Sequence, residues 1–230
     1  MAARLRLRSC WQTDPTATAT HREAQPDQVY EQRSELKEMA LVHFITHPEV
    51  IIDPSVPVPD WPLSPKGIKR MTLMLGQPWV GRIRAVFSSA ERKAMDAARI
   101  VANHLSLPPV VIHDLGENDR SATGYLPKAE FEAVADEFFG CPDQSVRGWE
   151  RAVDAQRRIV GAVHHAIALA PANGDIAIIS HGGVGALLLC YLKGVPISRT
   201  EDQPAGGGGN VYRFDVATRR PLTEWHRVDE

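Results

Sequence analysis

The sequence is poor in cysteine and carries almost no net charge. Its three cysteines, Cys10, Cys141 and Cys190, lie far apart with no Cys-x-x-Cys pair, which excludes a disulfide scaffold and a cysteine zinc site. The net charge of −2 gives no basic field that would attract nucleic acid or anionic lipid. No apolar run approaches the roughly 20 residues that cross a bilayer. The sequence therefore predicts a soluble, cytoplasmic protein with no nucleic-acid or membrane partner.

The first 38 residues also lack the aliphatic side chains that a folded core needs. Three arginines precede the first acid, Asp14, and a Thr/Ala-rich stretch at 16–20 leads into a polar run. Such a segment cannot bury enough apolar surface to offset its ordering entropy. We therefore predict a disordered extension over 1–38 and a folded domain over 39–230. The alternatives are a targeting or partner-binding arm, and an upstream start artefact with Met39 as the true first residue.

From residue 40 onward, strand-like and helix-like segments alternate. Short β-prone runs at 41–45, 85–87, 110–112, 176–179 and 211–214 are separated by helical patterns at about 65–75, 90–105, 129–139, 149–169 and 186–192. Ser64 and either Ser88 or Ser89 are the expected N-caps of the first two helices. The alternation predicts an α/β fold, a three-layer α/β/α sandwich with a mostly parallel central sheet. The segment 124–148 is predicted to be an insertion that roofs the site and sets substrate choice.

Chemically reactive side chains follow four of these strands. They occur in the segments Thr46-His47-Pro48-Glu49, Ser88-Ser89-Ala90-Glu91-Arg92-Lys93, Asp114 to Arg120, and Ser180-His181-Gly182-Gly183. Functional residues in an open α/β sheet gather beyond the carboxyl ends of the strands, so two histidines, basic residues and a carboxylate are expected to meet there. One imidazole can attack phosphorus, the other can hold phosphoryl oxygens, and a carboxylic acid can protonate the leaving alkoxide.

A metal or cofactor site at this edge is not expected. His43 and His47 have the i, i+4 spacing of a helical zinc pair, but they lie in a predicted strand, where they would be about 13 Å apart. The sequence lacks the glycine spacing of a dinucleotide-binding loop. It also lacks a nucleophilic-serine elbow and a phosphate-binding Walker A loop. The sequence thus predicts chemistry that needs neither a metal nor a cofactor.

Several motifs, taken in order, resemble the histidine phosphatase superfamily, which has the phosphoglycerate mutase-like fold. The family's Arg-His-Gly is similar to Thr46-His47-Pro48. The family's next motif, which starts a helix, is similar to residues 63–67. Its Ser-Ser-x-x-x-Arg-Ala turn is similar to residues 88–94 and its Leu-x-Glu segment to residues 115–117. Its Ser-His-Gly is present intact at 180–182. The resemblance covers about residues 40–214.

The resemblance implies roles for individual residues. His47 would be the nucleophile that becomes phosphorylated, His181 the second histidine of the phosphate pocket, and Glu117 the proton donor. Asp53 lies where many members have a polar residue, and Gly182 completes the Ser-His-Gly motif; both are candidate substrate-binding residues. Read only as structural residues, His47 would end a strand, His181 would form a turn and Glu117 would be a solvated carboxylate.

The sequence departs from the family at the positions that bind phosphate charge. Thr46 stands in place of the first pocket arginine, Pro48 in place of the glycine, and Lys93 in place of the second arginine. A guanidinium binds phosphate bidentately, whereas lysine is a point charge and threonine offers only a hydroxyl. Arg92 and Arg120 are candidates to supply the missing charge. Thr46, Lys93 and these two arginines are therefore predicted substrate-binding residues.

Two functions follow from these observations. The first is a metal-independent phosphatase that acts on a small phosphorylated substrate through a phosphohistidine. The second is a catalytically weakened or inactive member of the same fold that binds a phosphorylated ligand or a protein partner. A phosphoglycerate mutase is disfavoured, because a mutase needs a strongly basic pocket to retain a doubly anionic intermediate. Nothing in the sequence specifies an oligomeric state.

Overall fold

A computed structural model describes residues 39–230, so the predicted extension over 1–38 lies outside the described residues. Six strands form one sheet: β1 (Leu41–Thr46), β2 (Ile83–Ser88), β3 (Pro109–Val111), β4 (Asp175–Ser180), β5 (Asn210–Asp215) and β6 (His226–Arg227). Their order across the sheet is β3-β2-β4-β1-β5-β6. The first four strands pair in parallel, whereas β5 pairs antiparallel with both of its neighbours. The mostly parallel sheet that the sequence predicts is confirmed.

Strand β4 lies at the middle of this sheet and fixes the position of its neighbour β1. All six of its residues are buried, as expected for an apolar parallel strand covered on both faces. Its register with β1 pairs Phe44 with Ile178, Ile45 with Ile179 and Thr46 with Ser180. The two strands therefore end side by side, and the residues that follow them emerge at the same point of the sheet edge.

Helices cover both faces of the sheet. The five helices are α1 (Pro65–Met74), α2 (Arg92–Leu105), α3 (Lys128–Gly140), α4 (Ala152–Leu169) and α5 (Gly182–Lys193). Met71 of α1 and Val101 of α2 pack with Ile45 and Ile179 on one face. Residues of α4 and α5, such as Ile159, pack with Phe44, Ile178 and Tyr212 on the other. The predicted three-layer α/β/α sandwich is confirmed.

A third apolar cluster attaches the segment 124–148, which the sequence predicts to be an insertion, to the sandwich. Phe138 and Phe139 of α3 pack with Trp149 and with Leu187 of α5. The expected helix at 129–139 is found at 128–140, and its apolar side is held against α4 and α5. Helix α3 is therefore anchored where it can form one wall of a cleft at the carboxyl end of the sheet.

The starts of three helices differ from the sequence expectation, and one of them is α4, which begins at Ala152 rather than at about 149. Ser64 does cap α1, because its hydroxyl accepts the Gly67 N–H. Neither Ser88 nor Ser89 caps α2: its N-cap is Glu91, with no side-chain cap bond. Helix α5 begins at 182 rather than 186, because the glycines that favour a turn in sequence continue directly into the helix.

Within residues 39–230, no helix is both long and apolar enough to span a membrane. The same residues contain no group of three or more His, Cys, Asp or Glu side chains placed to hold a metal ion.

Candidate active site

The carboxyl ends of β1 and β4 open into a cleft of about 520 Å³. The parallel register continues one residue beyond the strands, where the His47 N–H donates to the Ser180 carbonyl at 3.1 Å. His47 and His181 therefore leave adjacent strands together, and their ring centroids are 5.1 Å apart with planes at 67°. Of the predicted site residues, His47, Glu117, Arg120 and Gly182 line the cleft.

His47 is held in one tautomer by the main chain. Its Nδ1 is 2.9 Å from the Pro48 carbonyl oxygen, and because a carbonyl only accepts, Nδ1 carries the proton and Nε2 keeps its lone pair. Burial and then the nearby Lys93 ammonium lower the pKa of His47 to about 4. The imidazole is therefore neutral at physiological pH, with an unprotonated Nε2, which is the state that a nucleophile needs.

His181 is buried beneath His47 and is bound to polar groups from the loop after β2. Its Nε2 lies 2.7 Å from Ser89 Oγ and 3.2 Å from Glu91 Oε1. Burial lowers the pKa of His181 to about 4, although the Glu91 carboxylate opposes this. Both contacts are made to the same ring nitrogen, whereas a serine–histidine–acid triad has the acid on the other nitrogen. The group is therefore not a triad, and His181 serves as a second neutral imidazole.

Glu117 lies at the N-terminus of α5. Its carboxylate accepts hydrogen bonds from the Gly183 N–H at 3.2 Å and the Val184 N–H at 3.0 Å. A Cβ at position 183 would stand 2.8 Å from the carboxylate, so this approach depends on glycine. The Asn118 N–H also donates to this carboxylate, at 3.2 Å, so three backbone donors fix its position. Glu117 thus brings a negative charge to the wall of the cleft that contains His47.

Lys93 is buried, and its charge is paired inside the protein. Its ammonium donates to the Val58 carbonyl at 2.9 Å and forms an ion pair with Glu91. Burial alone would raise the pKa of Glu91, but His181, Lys93 and the Glu117 N–H lower it to about 2. Since Glu91 is ionised at neutral pH, it neutralises the charge of Lys93.

Thr46 is also bound to neighbouring side chains. Its hydroxyl donates to Gln203 Oε1 at 2.7 Å and accepts the Asn210 N–H at 3.0 Å. Its side chain is buried, with 1% of the residue exposed, and Thr46 does not line the cleft. Gln203 does line it. The structure therefore places Thr46 behind the cleft wall and Gln203 in front of it.

Arg120 supplies positive charge within the cleft. Its guanidinium lies over the rings of Phe131 and Trp149, at 5.0 and 5.7 Å from their centroids. In the part of the chain that the structure describes, Arg120 has no ion pair with a carboxylate. Stacking on aromatic rings orients a guanidinium without neutralising it, so Arg120 remains able to bind an anion.

Five predicted site residues do not line the cleft: His181, Thr46 and Lys93 are buried behind it, and Asp53 and Arg92 are exposed. Asp53 is exposed, and its carboxylate accepts the N–H and hydroxyl of Ser55. Arg92 has a side chain that is 58% exposed and pairs weakly with Asp96 at 4.0 Å. The structure therefore does not bring Asp53 or Arg92 together with the histidine pair.

Sequence reasoning missed two residues of the site. Glu91 stands two positions before Lys93, and an acid so close to a predicted phosphate-binding cation is a signal that could have indicated an internal ion pair. Gln203 had no comparable signal, because it is 157 residues from Thr46 in sequence and belongs to no motif. Only the fold brings it to the cleft.

Comparison with known proteins agrees with this architecture. The sequence model of the histidine phosphatase superfamily (branch 1) matches residues 55–227, which is more than half of the chain and begins after His47. No curated protein sequence matches the chain.

Solved structures share the fold. A mycobacterial glucosyl-3-phosphoglycerate phosphatase in complex with inorganic phosphate superposes with a TM-score of 0.65 at 18% identity, covering 83% of this chain and 99% of that one. YhfR of Bacillus stearothermophilus gives 0.65 at 21% identity, with 80% and 94% covered. A phosphoserine phosphatase of Entamoeba histolytica in complex with 3-phosphoglyceric acid gives 0.65 at 16% identity, with 84% and 100% covered.

Proposed function

Because the chain belongs to the histidine phosphatase superfamily, we propose that it is a phosphatase-like hydrolase that cleaves a small phosphate monoester through a phosphohistidine on His47. One observation carries the proposal. A neutral imidazole, fixed with its proton on Nδ1, lies at a cleft beside a second neutral imidazole and a carboxylate. This combination offers a nucleophile, a phosphoryl-binding group and a proton carrier at one place.

In the first step, His47 Nε2 attacks phosphorus, the N–P bond forms and the P–O bond to the alcohol breaks. The leaving alkoxide takes a proton from Glu117. The Nδ1–H of His47 continues to donate to the Pro48 carbonyl, which stabilises the positive charge that develops on the ring.

In the second step, a water molecule attacks the phosphohistidine. Glu117 accepts the proton of the water, the N–P bond breaks, and its electron pair returns to Nε2. The products are the alcohol and inorganic phosphate, and His47 is regenerated as a neutral imidazole. Arg120 holds the phosphoryl oxygens, and His181 joins it when its N–H exchanges the contact with Glu91 for one with a phosphoryl oxygen. No metal or cofactor takes part in either step.

Residues 124–148 form the roof of the site in this proposal. Phe131, Phe138 and Phe139, all on α3, line the cleft together with Trp149. An aromatic wall favours an apolar or planar alcohol portion of the substrate over a fully polar one. The proposed cellular location is the cytoplasm.

The test is hydrolysis of an aryl phosphate by the purified protein in the presence of EDTA. The His47→Ala variant is compared with His104→Ala, a matched control at an exposed histidine of α2. We expect hydrolysis by the wild type and by His104→Ala, and loss of about 10³-fold or more in His47→Ala. Equal residual rates in all three proteins would refute the proposal.

A second candidate function is binding of a phosphorylated ligand or a protein partner without turnover. The observation that favours it is the internal neutralisation of Lys93 by Glu91, together with the burial of Thr46. It predicts saturable binding of inorganic phosphate by a protein that hydrolyses no phosphate ester.

A further inference from the structure

Gln203 is fixed at the cleft by two hydrogen bonds to the same oxygen. Its Oε1 accepts the Thr46 hydroxyl at 2.7 Å and the Asn210 side-chain N–H at 2.9 Å. With both bonds on the carbonyl oxygen, the two N–H groups of Nε2 are left without an acceptor among residues 39–230. Thr46 and Asn210 therefore determine which end of the amide faces away from the sheet.

The amide nitrogen of Gln203 lies directly against Gly182. A Cβ at that position would stand 2.2 Å from Nε2 and 3.1 Å from the amide carbon. Both residues line the cleft beside His47, and Gly182 directly follows His181. The absence of a side chain at 182 thus lets a neutral donor lie in the cleft wall against the residue that follows His181.

We propose that the Gln203 side-chain amide is a substrate-binding group of this site, held by Thr46 and Asn210, and that it donates hydrogen bonds to the phosphoryl oxygens. Thr46, which stands where the family's first arginine would be, then acts through Gln203 as a positioning residue. The inference rests on the proposed function for the identity of the anion. It adds a neutral donor to a pocket in which Lys93 is already paired.

The test is the affinity for inorganic phosphate, measured by isothermal titration calorimetry on the full chain. A hydrogen bond to a charged group is lost in Gln203→Ala, so phosphate should bind about tenfold more weakly. Gln203→Glu places an anion beside the phosphate and should weaken binding further. Gln77→Ala and Gln77→Glu are the matched controls, because the Gln77 amide bonds only to the Glu230 carbonyl at the C-terminus, and they should bind as the wild type does.

Two further variants test the positioning of the amide without removing it. Gly182→Ala introduces a Cβ that displaces the flexible end of Gln203, and it should weaken phosphate binding about as much as Gln203→Ala. Thr46→Val removes the hydroxyl that orients the amide and should weaken binding severalfold, whereas Thr46→Ser keeps the hydroxyl and should restore it. A purely structural role for Thr46 would not produce rescue by serine in phosphate affinity.

The outcomes separate this inference from the proposed function. Unchanged phosphate affinity in Gln203→Ala, or no phosphate binding by the wild type, overturns the inference. If the wild type binds phosphate through Gln203 but hydrolyses no ester, the inference stands and the phosphatase proposal fails. If the wild type hydrolyses esters and Gln203→Ala does so with unchanged KM and phosphate inhibition, the inference fails and the phosphatase proposal stands.

Discussion

Two groups of residues at the site differ in what their side chains are bound to. In the histidine group, His47 and His181 are neutral imidazoles with a pKa of about 4, and His47 is bound to a carbonyl through Nδ1 alone. In the second group, Thr46 and Lys93, which the resemblance aligns with the family's two arginines, are bound to Gln203 and Glu91. The proposed nucleophile is therefore available, whereas the groups predicted to hold phosphate charge are already occupied.

This difference shows that one fold can provide an activated nucleophile without also providing unpaired donors for an anion. A nucleophile needs the right tautomer and a low pKa, and both come from burial and a main-chain carbonyl next to a strand end. Anion binding needs unpaired donors, and these depend on side chains from several loops. In this protein the conditions for a nucleophile are met at the ends of β1 and β4. Anion binding depends on Arg120, on Gln203 and on whether Glu91 remains paired with Lys93.

The largest expected loss of activity comes from substituting a residue of the histidine pair. His181→Ala removes the imidazole that lies 5.1 Å from His47, and we expect kcat/KM for an aryl phosphate to fall about 10²–10³-fold. The protein should remain folded by circular dichroism, because the neighbouring strand β4 is unchanged. His104→Ala, on the surface of α2, should keep the wild-type rate. A loss smaller than about threefold would mean that the second imidazole does not contact the phosphoryl group.

The two imidazoles should also make stability depend on pH. In the unfolded chain they titrate near 6.5, and in the folded protein near 4. Between these values the unfolded state binds more protons, so the free energy of unfolding should fall as the pH drops from 6.5 to 4, by roughly 3 kcal/mol per histidine. Urea unfolding at several pH values measures this fall. His47→Ala should reduce the slope in this window, and a slope unchanged by that substitution would contradict the assigned pKa.

The substitution Glu91→Gln breaks the ion pair between Glu91 and Lys93. This change keeps the shape and the acceptor for the Glu117 N–H but frees the charge of Lys93, so phosphate should bind about tenfold more tightly. Phosphate should also raise the melting temperature more in this variant than in the wild type, because it replaces the missing partner of a buried cation. Glu137→Gln on the exposed side of α3 is the control. Weaker phosphate binding in Glu91→Gln would show that Glu91 supports the ligand rather than competing with it.

The smallest effects should come from residues outside the cleft. Asp53→Ala and Arg92→Ala remove exposed side chains that are bound only to their neighbours. We expect changes in kcat/KM of less than about twofold. A loss comparable to that of His181→Ala in either variant would require the loop at 53 or the first turn of α2 to move into the cleft during the reaction.

The fold and the histidine pair could be predicted because their signals are local. The apolar run at 176–179 indicates a strand buried on both faces, and the residue after each strand reaches the carboxyl edge whatever the rest of the chain does. The same reasoning extends to β1, where His47 follows Thr46. Strand ends in a parallel sheet therefore locate the histidine pair even where the flanking residues differ from the family motif.

The charge of the pocket could not be predicted, because it depends on pairings between distant segments. Lys93 was expected to bind phosphate, but whether its ammonium is free depends on the rotamer of Glu91 and on the approach of the Val58 carbonyl. Arg92, the neighbouring cation, points to solvent because the helix rotates it about 100° from Lys93. Gln203 reaches the cleft on the loop before β5, which is held near β1 by the Gly209 N–H bond to the His47 carbonyl.

The proposed phosphohistidine on His47 is tested most directly by trapping the phosphoryl group on the protein. The wild type is mixed with an aryl phosphate and quenched in alkali, which preserves phosphohistidine, and the digested peptides are analysed by mass spectrometry. We predict one phosphoryl group on the peptide containing His47, absent in His47→Ala and lost from the wild-type sample on acid treatment. Turnover by the wild type with the phosphoryl group on another residue, or undiminished turnover by His47→Ala, would contradict it.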